Sequence, residues 1–342
     1  MNVVFSRKDF DLCHVPVPKG YPQSQTHVGV FPTNRMLLLT SSPFPAVKRS
    51  KIANYVRIAL RKLSCGLLCN EQKAETYENP CLYKSDDGIT FGLMQSRPLM
   101  EVPDAYYGLP SFNSDPDIYV EGDKIYVLNR AIFRTKLTPG LHRDEYMIRL
   151  YLIKGELDKG RFKYISTNLL NESTELSVSP CICKYQGKYI LMKLYTNCYN
   201  DGENFEGLRY VKSETICGLK NTDNWVTIKV EAGNYLPWHI SVFRREERLY
   251  AIVACIERGI GHRCWQMFGE FNDDLTELFI YQTPLTDYKS YRGSAYVKES
   301  GEFVLYNTTV HEKIKGSKSV DGRDVIVAHM PFEELLSKLK AE

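Results

Sequence analysis

The sequence lacks the long apolar segments that would place it in a membrane. No stretch of the 342 residues reaches the roughly 18–20 apolar residues of a membrane-spanning helix. The start, MNVVFSRKDFDLCHVPVPKG, has no apolar segment after its basic residues, so no cleavable export signal is visible. We therefore expect a cytoplasmic location, with secretion left open if a leader peptide has been removed.

A strong net charge and a metal-binding cysteine pattern are also missing. The formal charge is only +3, so bulk electrostatics do not favour a nucleic-acid partner. There are ten cysteines, but Cys65-x-x-x-Cys69 has no second pair, and the spacing predicts no metal site. Without an export signal, buried free thiols are expected, such as Cys181 and Cys183 alternating in a strand.

Aromatic residues are abundant, and one sequence repeat occurs five times. The 23 Tyr and 15 Phe favour strands and surfaces that stack on sugars. Each repeat has a short polar start, a predicted strand of alternating apolar and polar residues, a turn and a second strand, which is typical of a hairpin. After the first, successive starts fall about 50–65 residues apart, the length of a four-stranded propeller blade. The five repeats begin at His27, Asp115, Ser179, His239 and Arg292.

This repeat predicts an all-β, single-domain chain over residues 1–342, folded as a five-bladed β-propeller. A two-sheet β-sandwich is the alternative. In a propeller the innermost strands begin at the same end of the central channel, so the five opening residues should meet in one axial pocket. Burying such polar side chains unpaired would cost several kcal/mol, which favours a functional site. Arg130 and Lys193 end second strands and are expected away from the pocket.

Three segments resemble one family. Asn113-Ser-Asp-Pro-Asp-Ile-Tyr-Val is similar to an inner-strand signature of the five-bladed glycoside hydrolases of families 43, 32, 117 and 130. Tyr77-Glu-Asn-Pro-Cys-Leu-Tyr-Lys-Ser-Asp-Asp-Gly and Ser179-Pro-Cys-Ile-Cys-Lys-Tyr resemble further strands of that superfamily. The resemblance runs from about residue 25 to 330. It implies a carbohydrate partner and hydrolysis of a glycosidic bond by carboxylates around the axial pocket.

Asp115 precedes a proline, as a catalytic carboxylate does in these enzymes, and the resemblance implies that it is the base. The alternative is an Asx turn that caps the strand. Asp117 follows two residues later on the same strand face, deeper in the channel, where it would tune its neighbour or bind a sugar hydroxyl.

The chain departs from the family pattern where the general acid is expected. The third inner strand carries Val178-Ser-Pro instead of Glu-Gly-Pro, and the first carries His27-Val-Gly instead of Asp-Pro. The replacements available are Glu78, Glu175 and His239, and an imidazolium titrating near neutrality can donate a proton. If no residue serves as acid, the chain is a glycan-binding propeller without catalysis.

Three further residues are candidates for substrate binding: His27, Trp238 and Arg292. Trp238 would stack on a sugar ring, or else pack in the interior. Arg292 would bind an anionic sugar, or else form a salt bridge with Asp115 or Glu78. No cofactor is expected, although some members of the superfamily hold a divalent cation in the channel.

The segment from about residue 46 to 72 interrupts the first repeat. Residues 46–70 contain six Lys or Arg and no acid, with apolar residues at helical spacing. The pattern predicts a basic amphipathic helix inserted in blade one. This helix would be a lid, or would contact an anionic membrane surface, an anionic glycan or a partner subunit through residues 48–68. An interaction scaffold is therefore a third possible function, besides the glycoside hydrolase and the glycan-binding propeller. A short C-terminal helix is predicted at about 331–340.

Overall fold

The computed structural model describes residues 3–43, 78–101, 111–136, 145–196, 205–220, 223–257, 264–312, 314–319 and 321–340. The predicted insertion at about 46–72 lies outside these ranges. The described residues form twenty strands, one α-helix and two 3₁₀ turns, at Arg7–Asp9 and Ile216–Leu219. The strands are β1 Asp11–Leu12, β2 Gln25–Pro32, β3 Leu37–Pro43, β4 Cys81–Ser85, β5 Gly92–Leu93, β6 Ser111–Glu121, β7 Lys124–Lys136, β8 Glu145–Asp158, β9 Arg161–Ser173, β10 Ser177–Tyr185, β11 Lys188–Thr196, β12 Phe205–Ser213, β13 Val226–Glu231, β14 Tyr235–Arg245, β15 Arg248–Glu257, β16 Cys264–Phe271, β17 Glu277–Ile280, β18 Ser290–Val297, β19 Glu302–Thr309 and β20 Val325–Pro331.

The structure is nearly all β, and the five predicted hairpins are confirmed. They are the antiparallel pairs β2–β3, β6–β7, β10–β11, β14–β15 and β18–β19. Alternating β-branched and aromatic residues drive each pair, and Gly or charged residues occupy the bends.

The strands assemble into five four-stranded units. Unit one is β2–β5, unit two β6–β9, unit three β10–β13, unit four β14–β17, and unit five β18–β20 with β1 at its edge. Units three and four share one eight-stranded sheet because β13 pairs with β17 in parallel. The first strand of each unit contacts the first strand of the next, and β18 of unit five contacts β2 of unit one.

The hydrophobic core is divided among the contacts between neighbouring units. Each of five clusters of buried residues joins one unit to the next, and the set includes the pair formed by units five and one. Representative pairs, from units one–two to units five–one, are Leu38 with Ile118, Leu150 with Leu191, Met192 with Val253, Phe268 with Phe303, and Tyr306 with Val30. Every unit therefore has both faces covered.

The helix α1, Phe332–Lys340, confirms the predicted C-terminal helix. Its buried residues Phe332, Leu335 and Leu339 recur at helical spacing, with acids in the first turn and lysines in the last, as the helix dipole favours. No helix in the described part of the chain is long and apolar enough to span a membrane.

Each first strand contains a β-bulge near its start. The pairing register shifts between Thr26 and Gly29 in β2 and between Ser114 and Asp117 in β6. Corresponding shifts occur at Val178/Cys181, Pro237/His239 and Ser290/Gly293. A bulge bends its strand and redirects the extra side chain. The opening residues of the five sequence repeats lie in or next to these bulges.

Candidate functional site

The bulges of β2, β6 and β14 bring His27, Asp115 and His239 together. Asp115 Oδ1 lies 2.7 Å from His27 Nδ1 and 3.4 Å from His239 Nδ1. All three residues are buried. His27 and Asp115 have φ of 56° and 51°, in the left-handed region, as does Ser179 at 50°. Non-glycine residues adopt this backbone only where the surroundings hold it, and they concentrate at functional sites.

The other oxygen of Asp115 is held by two donors. Arg130 Nη2 lies 2.7 Å from Oδ2, and the Ser179 backbone N–H donates to the same oxygen at 2.9 Å. Burial raises the pKa of the Asp115 carboxyl, but Arg130 and the two imidazoles outweigh burial and hold this pKa well below its ordinary range. Asp115 is therefore an ionised carboxylate, closed off from solvent.

Glu78, just before β4, completes the cluster on the other side of His27. Its Oε2 lies 2.8 Å from His27 Nε2 and accepts a hydrogen bond from Ser114 Oγ at 2.6 Å. Because an ionised carboxylate only accepts, the proton in the first contact is on Nε2. The Glu78 side chain is 11% exposed, whereas that of Asp115 is fully buried, so Glu78 is the carboxylate of this cluster that solvent can reach.

Tyr291 packs on both histidines. Its ring centroid lies 4.8 Å from that of His27 and 4.7 Å from that of His239. Trp238 stands beside His239, with ring centroids 5.8 Å apart, and is half-buried. The two aromatic rings flank His239 and form an apolar border to the polar cluster.

Asp117 and Arg292, next to this cluster, are paired with each other. Arg292 Nη2 is 3.2 Å from Asp117 Oδ1, and Nη1 donates to the Pro116 carbonyl at 2.7 Å. Burial raises the pKa of Asp117, partly offset by Arg292 and by the Ile182 N–H that donates to it. The salt-bridge alternative for Arg292 is thus the one observed, but with Asp117 instead of Asp115 or Glu78.

Ser179 and Glu175 have different surroundings. The Ser179 hydroxyl exchanges hydrogen bonds of 2.9 Å with the backbone of Ile240, which ties β10 to β14. Glu175 is exposed and lies 3.3 Å from Arg209. Among the contacts of Glu175 in the described residues, none joins it to the His27–Asp115–His239 cluster.

Arg130, Ser114 and Tyr291 belong to the site but were not predicted. The expectation that Arg130 lies away from the pocket is wrong. In an antiparallel hairpin the end of the second strand lies beside the start of the first, and Arg130 is paired with Ser114. A search for charged residues at the ends of second strands would have found it.

One surface cavity lies away from this site. A cavity of about 400 Å³ lies between the N-terminal segment and β20, lined by Phe10, Tyr288, Ile326 and others, and contains none of the clustered residues. The convergence of charged and ring side chains from units one, two and four is the stronger indication of function.

No family model matches the sequence, and no match was found among curated proteins. Solved structures do match in fold. An N-acetylgalactosamine deacetylase from F. plautii, in complex with blood group B trisaccharide, is 14% identical with a TM-score of 0.66 over 97% of each chain. A family 43 β-xylosidase/α-arabinofuranosidase from a compost metagenome is 12% identical with a TM-score of 0.59 over 94% of each chain. A xylan β-1,4-xylosidase from Bacillus halodurans has a TM-score of 0.61 at 12% identity, over 92% of this chain and 54% of its own. The resemblance to the family 43-like propeller superfamily is confirmed as a likeness of fold.

Proposed function

We propose that this chain is a hydrolase that acts on a carbohydrate at the centre of a five-bladed propeller. The five blades are the five four-stranded units. Support for the ring comes from the cyclic order of contacts between first strands and from the five core clusters that join successive units. A two-sheet sandwich would not require the first strand of every unit to contact the first strand of the next.

One observation carries the catalytic part of the proposal. Glu78 and Asp115 contact opposite nitrogens of a single imidazole, that of His27. The His27 ring lies between the two carboxylates, so they do not face each other across a space for water and substrate as the two carboxyl groups of an inverting glycosidase do. In this assignment Glu78 exchanges protons with the reacting group. Asp115 stays ionised and fixes His27, and Trp238 offers an aromatic face to the sugar.

Removal of an acyl group from an acylated sugar is a second candidate reaction. Asp115 is buried and held by Arg130, which leaves Glu78 as the one carboxylate of the cluster that a substrate reaches. A glycosidase needs two working carboxylates, whereas acyl hydrolysis needs one proton-transfer group and a means of polarising the carbonyl. The similarity to the deacetylase along 97% of both chains favours including this reaction in the test.

The test is a panel of oligosaccharides, with and without N-acetyl groups, incubated with wild type and with Glu78→Gln. Mass spectrometry separates the reactions, because glycosidic cleavage gives shorter sugars and acyl removal gives the intact sugar with a free amine. Loss of a general acid–base should reduce turnover by about 10²–10⁴-fold.

Glu172→Gln is the matched control, because Glu172 is exposed and contacts Arg149 in unit two. It should keep wild-type turnover. Binding of glycans by the wild type without turnover of any would refute the hydrolase and favour the non-catalytic glycan-binding alternative. Full activity of Glu78→Gln would refute the role of Glu78.

A further inference from the structure

We propose that His27, Asp115 and His239 bind one divalent transition-metal ion directly. Within the described residues they are the one group of three or more His, Cys, Asp and Glu side chains arranged as metal ligands, with donor atoms all within 4.8 Å of one another. They come from β2, β6 and β14, so the fold rather than a local motif assembles them. The proposal concerns the cluster of the proposed hydrolase, but its evidence does not depend on which bond is cleaved.

The candidate ligand atoms of this group are buried and form no hydrogen bond of good geometry, although His27 Nδ1 and Asp115 Oδ1 lie 2.7 Å apart. They are His27 Nδ1, Asp115 Oδ1 and both ring nitrogens of His239. A buried polar atom without a partner is unfavourable, because it has lost its hydrogen bonds to water. Three of the four atoms, His27 Nδ1, Asp115 Oδ1 and one nitrogen of neutral His239, present lone pairs, which indicates that the site binds something that accepts them.

The contact of 2.7 Å between His27 Nδ1 and Asp115 Oδ1 points the same way. In neutral His27 the proton is on Nε2, facing Glu78, so Nδ1 presents a lone pair to a carboxylate oxygen. Two lone pairs at this separation repel each other unless a cation or a proton lies close to both. Asp115 Oδ1 and His239 Nδ1, 3.4 Å apart, are also spaced as two ligands of one ion would be.

The neighbouring residues orient the ligands as outer contacts do in metal sites. A metal-binding histidine usually donates its other ring N–H to a carboxylate, which is the role of Glu78 toward His27. Arg130 and the Ser179 N–H occupy Asp115 Oδ2 and leave Oδ1 directed at the histidines.

The ligand types select the class of ion. Two imidazoles and one carboxylate suit zinc, manganese, iron, cobalt or nickel, whereas calcium and magnesium prefer oxygen ligands. Three protein ligands leave coordination positions open for water or substrate. An ion there would supply Lewis acidity and lower the pKa of a bound water. Asp115 would then be a metal ligand, and Glu78 the remaining group for proton transfer.

A proton is the competing occupant. If His27 were doubly protonated, it would form ion pairs with Glu78 and Asp115 and no metal would be needed. Burial lowers the pKa of His27, but the two carboxylates outweigh burial and the net shift is upward. Metal binding must displace this proton, so the two occupants can be distinguished by titration.

The experiment is a cobalt titration of the full chain after treatment with a chelator. We expect visible absorption bands of bound Co²⁺ that saturate at one equivalent and are displaced by Zn²⁺ but not by excess Ca²⁺. Isothermal titration with Zn²⁺ at two pH values should show protons released on binding. Neither measurement needs a substrate, so a failure here is distinct from a failure of the proposed hydrolase.

His239→Gln should reduce Zn²⁺ affinity by at least tenfold, because it removes one of the three ligands. His329→Gln is the matched control, since His329 is an exposed histidine on β20, and it should bind as wild type. Circular dichroism checks that each variant is folded. Absence of one-equivalent Co²⁺ or Zn²⁺ binding in the wild type would overturn the proposal whatever the variants do, and so would wild-type affinity in a folded His239→Gln.

Discussion

Buried charges in this protein lie beside partners of opposite charge or hydrogen-bond donors. Asp115 is the example with the most such partners in its site. Its two oxygens face Arg130, the Ser179 N–H and the imidazoles of His27 and His239, and these four partners come from four different units. Removing one partner from such a pair leaves an uncompensated charge, which is why buried pairs are sensitive to single substitutions. The left-handed backbone of His27 and Asp115 and the high density of buried charge are features expected of a ligand-binding site.

Lys193 is a buried cation with weaker compensation. Its Nζ donates to Asn171 Oδ1 at 3.0 Å and lies 4.2 Å from the centre of the Trp225 ring. Burial lowers the pKa of Lys193 to about 8. At neutral pH the amine is therefore protonated at a cost in stability of up to about 3 kcal/mol, from 1.36 kcal/mol per pKa unit.

The sign of the pH dependence follows. Between about pH 8 and 10.5 the unfolded chain holds a proton on Lys193 that the folded chain has lost, so the stability of the wild type rises with pH. Relative to Lys193→Met, the free energy of unfolding should rise by up to about 3 kcal/mol across this window. Urea unfolding at pH 7, 8.5 and 10 measures it. Lys163→Met, at an exposed position of β9, is the control for loss of one charge, and an equal slope in all three proteins would contradict the prediction.

At the residue scale, the sequence located part of the site. The opening residues of the repeats were predicted to converge, and the structure places His27, Asp115 and His239 in contact. It could not tell which polar residues would pair among themselves: sugar binding and an ion pair were both open for Arg292, and its partner in the structure, Asp117, was not the one expected. Such pairing depends on angstrom-scale differences in side-chain position, which a repeat pattern does not encode.

At the element scale, the bulges of the first strands are the device that builds the site. All five occur at the same place in their hairpins, and an extra residue there turns a side chain out of the regular alternation. The strands themselves were predictable because alternation and turn residues are local signals. The bulges were not, since the sequence shows only a polar residue at the start of a strand.

Gly293 tests how tightly the bulge of β18 is packed. A Cβ at this position would lie 2.7 Å from Gln266 Oε1 and 2.8 Å from Ile252 Cγ2, both on buried side chains. Gly293→Ala should lower the free energy of unfolding by about 1–3 kcal/mol, as expected for overpacking. Chemical unfolding measures this change.

Gly92→Ala is the control for Gly293→Ala. Gly92 lies in β5, and a Cβ there meets nothing within 4 Å. Its stability should equal or slightly exceed that of the wild type, because alanine has less conformational entropy to lose than glycine. Equal stability of Gly293→Ala and wild type would show that β18 has room to move.

At the scale of the whole molecule, the chain closes on itself through its N-terminal segment. Strand β1 pairs with β20, with Asp11 opposite Val327. The Phe5 N–H donates to the Leu285 carbonyl at 3.0 Å, in the connection between units four and five. The general fold was predictable because the repeat recurs five times, whereas this closure was not, because no repeat signal marks residues 4–12.

Phe5 therefore provides a test of whether the five units unfold as one body. It is 1% exposed and packs with Phe303 and Phe268 in the cluster between units four and five. Phe5→Ala should lower the free energy of unfolding by about 3–5 kcal/mol, the range for deleting a buried phenylalanine side chain.

If all units depend on one closed ring, that loss should appear equally in every part of the molecule. Far-UV circular dichroism and tryptophan fluorescence, which reports on Trp225, Trp238 and Trp265 in the β13–β16 region, should then give the same lowered midpoint. Tyr164→Ala, on the exposed surface of β9, should stay within about 0.5 kcal/mol of wild type. A fluorescence midpoint that stays at the wild-type value while the dichroism midpoint falls would mean that unit five opens by itself, and that closure by the N-terminal segment does not stabilise the remaining units.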